Sequence, residues 1–95
     1  MKNIINRLSD QIEKDVISIY RHLHQYPELS FQEKETSLFI QKTLGELGIP
    51  FVNDVSDYAV IGEIQGAHTG PVIALRADID ALPIHEETGL PFTSQ

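Results

Sequence analysis

The sequence predicts an α/β fold: two amphipathic helices followed by about three strands. Three observations predict it. Apolar residues recur every three or four positions from Ile5 to Leu23. A second stripe of that spacing runs from Thr36 to Leu47. Beyond Pro50 the apolar residues gather instead in short runs parted by Gly, Asn and Asp.

The first helix is expected from about Asn3 to Gln25. Ile5, Leu8, Ile12, Val16, Ile19 and Leu23 form one stripe, with Lys14, Asp15 and Arg21 off it. Pro27 ends it, because the residue before a proline avoids the helical region. Ser30 followed by Glu33 fits a capping box, in which each side chain satisfies an orphan backbone N–H. The second helix is expected from about Phe31 to Leu47, with Thr36, Phe39, Ile40, Thr43, Leu44 and Leu47 facing inward. Gly48 is placed to terminate it, and Pro50 follows.

Three strand candidates come next: "PFVNDV", "AVIGEIQG" and "PVIALRAD". The last is the strongest, since its apolar centre is unbroken. A strand apolar on both sides needs cover on both faces. Two helices cover only part of such a sheet, so the pattern reads as the opening portion of a larger α/β domain.

The chain has 95 residues, the size of one small domain, and 41% of them are hydrophobic, which suits a globular protein and argues against disorder. Its net charge is −7, with no Lys/Arg cluster. A phosphate backbone or an anionic membrane surface calls for the opposite field, so neither nucleic acid nor membrane is an expected partner. With no cysteine, disulfides, thiol nucleophiles and Cys-based zinc sites are excluded within these residues. "MKNIINRLSD" has no continuous apolar run of the signal-peptide kind, and a cytoplasmic location is expected.

The strongest strand ends in charge. Side chains alternate across a strand, so Arg76, Asp78 and Asp80 point one way and Ala77, Ile79 and Ala81 the other. Carboxylates two residues apart on one face lie roughly 6–7 Å apart. That is too far to share a proton, but it suits carboxylates flanking a metal cluster, or one orienting a ligand while the other pairs with Arg76. The carboxyl ends of strands in open α/β sheets are where ligands bind. The plain alternative is an Arg76–Asp78 ion pair with Asp80 capping a turn before Pro83.

The histidines say less. His22 and His24 are two apart on a helix and point to nearly opposite sides, whereas shared ligation needs a spacing of three or four. His68 lies in a turn. His85, with Glu86 and Glu87, follows the strand end, and such a run is either a solvated loop or part of a site. No nucleophile elbow, P-loop, dinucleotide fingerprint or H-E-x-x-H motif occurs.

"RHLHQYPELSFQEKETSLFI" followed by "ALRADIDALPIHEETGLPFTS" resembles the N-terminal quarter of the M20 metallopeptidases. The resemblance is to the branch of aminoacylase-like, hippurate hydrolase-like and indoleacetyl-amino-acid hydrolase-like amidohydrolases. It covers the chain from about Val16 onward, and the pairing of the two motifs at this separation is what makes it specific. It implies a phosphorylase/hydrolase-like, zinc-peptidase-like α/β catalytic domain, interrupted by a smaller lid that often dimerises, hence a homo-oligomer. It implies hydrolysis of N-acyl amino acids or related small amides by two divalent ions (Zn, Mn, Co or Ni) that activate a water, with a Glu as general base.

Residue by residue, Asp80 matches an aspartate that orients a ligand and tunes the metal from outside its ligand set. Asp78 stands where more distant relatives carry a metal-ligating His, and Glu86 would line the substrate entrance. In this branch the metal ligands come from a later H-x-C-G-H-D segment and further residues, so no metal ligand is expected within the chain. Residues 1–95 are then expected to be an N-terminal fragment of a catalytic domain, inactive alone, the rest of that domain and the lid being absent. The alternative is a non-catalytic α+β module acting in assembly or interaction through an exposed sheet edge.

Overall fold

The computed structural model describes residues 2–83, 89–92 and 94. The order of elements is α1 (Lys2–Gln25), α2 (Lys34–Glu46), β1 (Phe51–Val52) and β2 (Ile61–Gly62). They fall into two compact units: 1–27 with 84–95, and 28–83.

In the first unit, α1 follows its stripe closely. No Gly or Pro interrupts Lys2–Gln25, and the Tyr26 N–H still reaches the His22 carbonyl at 3.1 Å before Pro27 stops the ladder. Ile5, Leu8, Ile12 and Val16 nevertheless remain about half exposed. The helix end is decorated by rings one turn apart. Tyr20 stacks on His24 with centroids 5.8 Å apart, and His22 meets Tyr26 at 5.2 Å. Phe92 packs edge-on against His24 and lies under the Arg21 guanidinium, 4.9 Å from the ring centre. The Ser94 hydroxyl donates to the His24 carbonyl at 2.6 Å. His22 and His24 thus each have an aromatic neighbour one turn away along the helix.

In the second unit, α2 is three residues shorter at its start than the sequence pattern indicates. Its N-cap is Glu33, whose side chain makes no capping bond. The Ser30–Glu33 capping box does not form: Glu33 Oε1 instead accepts from the Phe31 N–H at 2.8 Å. The cap comes from outside the helix. Glu28 Oε2 accepts from the Glu35 N–H at 3.1 Å, and Oε1 accepts from the Thr36 N–H. These are the second and third helical residues, whose amides an N-cap side chain would ordinarily satisfy.

The other end follows expectation. Gly48 takes φ +71°, the Gly48 N–H bonds the Gly45 carbonyl at 3.1 Å, and the Ile49 N–H bonds Leu44 at 2.9 Å. Those two bonds make a Schellman motif, which needs a left-handed residue where glycine is least strained. Of the expected inward face, Thr36 is buried, Phe39, Ile40, Thr43 and Leu44 are partly buried, and Leu47 is exposed. Ser37 joins Thr36 in the interior.

β1 and β2 pair antiparallel, Phe51 opposite Gly62 and Val52 opposite Ile61, and the Glu63 N–H to Pro50 carbonyl bond at 3.0 Å extends the ladder. Gly62 sits on the end of α2: a Cβ there would lie 3.5 Å from both Leu44 and Ile49 side chains.

The third expected strand is not part of a ladder. Residues 71–80 carry no strand pairing, and only an isolated parallel bridge, Leu29 to Ala81, follows them. Val72, Ile73 and Leu75 are 95%, 85% and 96% exposed. The physical reason is supply: a doubly apolar strand needs neighbours and cover, and the described residues of this unit offer one bridge. Among the described residues no hydrophobic side chain is fully buried.

Candidate functional site

The site candidates of the second unit converge on one open cleft of about 680 Å³. One wall is the loop before α2, with Ser30, Phe31 and Glu33; another is the 74–80 segment, with Arg76, Asp78 and Asp80. The two walls are stitched together. The Ala81 N–H donates to the Glu28 carbonyl at 2.8 Å beside the Leu29–Ala81 bridge. The stretches "PELSF" and "RADIDALP" lie far apart in sequence, and the fold brings them edge to edge.

Phe31 holds an unusual conformation here. Its φ is +67°, in the left-handed region, and the residue is 83% exposed. For a bulky residue this costs about 1–2 kcal/mol. A 2.9 Å turn bond from the Gln32 N–H to the Leu29 carbonyl and the Phe31–Glu33 bond hold the loop in that shape.

Arg76 and Asp78 form the ion pair that their spacing allows, at 3.3 Å, with both side chains largely in water. An exposed pair of this kind is worth at most about 1 kcal/mol. Asp80 is exposed and sits one residue before the Ala81 bridge. The cleft lining carries four carboxylates, those of Glu33, Asp57, Asp78 and Asp80, against the single guanidinium of Arg76. That excess favours a cation over an anion. Glu86, expected at a substrate entrance, lies outside the described residues, as do His85 and Glu87.

Glu28 is the functional-site neighbour that sequence reasoning missed. Partial burial raises its pKa, but hydrogen bonds from the Thr36 side chain, the Thr36 N–H and the Glu35 N–H outweigh that and leave it below the ordinary carboxylate value. The residue stands five positions ahead of the N-cap, and a cap reaching across a loop leaves no fixed spacing to read.

Among the described residues no three His, Cys, Asp or Glu side chains gather as a metal would require. The described residues do not by themselves fit a metal centre. Among the described residues no helix is long and apolar enough to cross a membrane.

In the 28–83 unit, helix α2, a two-stranded sheet and an acidic segment at 76–80 surround the cleft, and known proteins resemble the chain. No family model matches the chain. It is 56% identical over 84 residues, 88% of its length, to the N-acetyl-L-cysteine deacetylase of Bacillus subtilis (strain 168), covering 20% of that protein. It is 44% identical over 94 residues, 99% of its length, to the N-acyl-L-amino acid amidohydrolase of Geobacillus stearothermophilus, covering 25% of it. Its fold matches the crystal structure of a Bacillus subtilis dinuclear metal-binding peptidase of the M20 family with a TM-score of 0.85 and 48% identity, over 90% of this chain and 24% of that one. In sequence and in fold, the chain corresponds to the N-terminal portion of an M20-family amidohydrolase. It spans about a fifth to a quarter of the length of these relatives.

Proposed function

We propose that residues 1–95 form the N-terminal part of the catalytic domain of a cytoplasmic, metal-dependent amidohydrolase that cleaves N-acyl amino acids. In that reaction water adds to the acyl carbon, the C–N bond breaks, and a carboxylic acid and an amine leave. One observation carries the reading: within the 28–83 unit, the parts of the two family-like stretches around Glu28–Glu33 and Ala74–Ala81 are joined by the Ala81–Glu28 bond and border one cleft. The names of the deacetylase and amidohydrolase relatives support the substrate class, and the dinuclear neighbour supports metal dependence.

In this reading the chain supports the reacting centre without completing it. Asp80 stands at the lip of the cleft as the supporting carboxylate, and Asp78, tied to Arg76, fixes the geometry beside it. Glu86 is assigned to the substrate entrance from the resemblance alone. The remainder of the catalytic domain and a lid domain through which the enzyme forms a homo-oligomer complete the proposal.

The test is a transplant. Residues 1–95 replace the matching N-terminal segment of the Bacillus subtilis N-acetyl-L-cysteine deacetylase, and release of cysteine from N-acetyl-L-cysteine is followed. A folded chimera with turnover near that of the parent enzyme is expected. A folded chimera without turnover contradicts the reading. The 95-residue chain alone, supplied with zinc or manganese, is expected to leave a hippurate-type substrate untouched.

A further inference from the structure

Glu28 does two unrelated things at once. Its carboxylate accepts from two amides of the first turn of α2. Its main-chain carbonyl accepts from Ala81, the residue after Asp80, at 2.8 Å. The buried Thr36, 5% exposed, anchors the carboxylate end. A side chain held at its tip restrains the torsions of its own backbone, and so fixes where its carbonyl points. The segment that carries Asp80 hangs on that carbonyl and on the adjoining Leu29–Ala81 bridge.

We propose that Glu28 is a positioning residue that sets the place of Asp80 in the cleft by clamping the 78–81 segment to the start of α2; this rests on the amidohydrolase reading for its catalytic consequence. The charge is part of the device. A carboxylate accepting helix N-terminal amides gains from charge-assisted bonds and from the positive end of the helix. A neutral amide at the same place keeps the shape and one acceptor oxygen but loses both advantages. Local opening of the first turn of α2 then frees the carbonyl to move, and Asp80 loses its fixed distance from the other wall.

Two readouts test this. In the 95-residue chain, amide hydrogen exchange is compared between the parent and Glu28→Gln. The Glu35, Thr36 and Ala81 amides are expected to exchange together, at least tenfold faster in the variant. Faster exchange at Glu35 and Thr36 with Ala81 unchanged, or an Ala81 amide unprotected in the parent, overturns the clamp. Glu28→Asp, which keeps the charge on a shorter arm, is expected to recover part of the protection at all three amides; recovery at the helix alone also overturns it.

In the chimeric deacetylase, Glu28→Gln is expected to lower kcat about tenfold or more per folded enzyme while KM stays within about twofold, with partial rescue by Glu28→Asp. An active parent chimera whose Glu28→Gln variant keeps its kcat overturns the positioning role alone. An inactive parent chimera instead contradicts the amidohydrolase reading, and the exchange result stands apart from it.

Discussion

Phe31 and Glu28 show how single residues shape the cleft wall. Phe31 pays a left-handed backbone penalty with its ring in water, so its conformation is not compensated by burial. Asparagine tolerates that region better. Phe31→Asn is therefore expected to stabilise the 28–83 unit by about 0.5–1 kcal/mol, read from urea unfolding followed by circular dichroism; destabilisation would show that the ring has a packing role. Glu28 gives a pH signature. Its folded pKa lies below the ordinary value, so its contribution is complete above the unfolded pKa and disappears as pH falls through the folded one. The first turn of α2 is expected to loosen in acid below the usual carboxylate range, and Glu28→Gln to remove that dependence. An unchanged acid profile in the variant, followed by amide exchange, would contradict the cap.

At the scale of elements, the two ends of α2 were unequally legible. Gly48 could be recognised because a Schellman end needs one left-handed residue beside the helix, and the structure uses it so. A Cβ at Gly48 would meet nothing within 4 Å, so the cost of Gly48→Ala is conformational alone. About 1 kcal/mol of helix stability is expected to be lost, measured by exchange of the last-turn amides. The start of α2 misled because Ser30 and Glu33 have the right spacing for a capping box, yet the helix begins later, at Lys34, and Glu28 reaches the Glu35 and Thr36 amides across a loop. Helix α1 was legible almost to the residue, since its stripe and Pro27 are local signals. The segment 71–78 was not, because strand pairing depends on partners distant in sequence. Arg76 and Asp78 nevertheless form the ion pair weighed as the plain alternative.

The whole molecule is dominated by what it leaves in water. Val72, Ile73 and Leu75 are almost fully exposed, and the α1 stripe is about half exposed. Burying each such side chain is worth about 1.5–3 kcal/mol. In the longer enzyme proposed above, that gain comes from the rest of the catalytic domain. The 95-residue chain in isolation is expected to bind a hydrophobic dye and to associate with rising concentration in sedimentation. Replacing Val72, Ile73 and Leu75 together by Thr should weaken both effects; a parent chain that stays monomeric and dye-free would contradict this view of its surface.

The relation of these scales to function rests on Asp80, which the fold brings to the cleft lip through the Ala81–Glu28 bond. Its most direct measurement is kcat/KM of the chimeric deacetylase bearing Asp80→Asn. A drop of about 10–100-fold with an unchanged thermal midpoint is predicted. Full activity in the folded variant would contradict the claim that this segment serves the reacting centre.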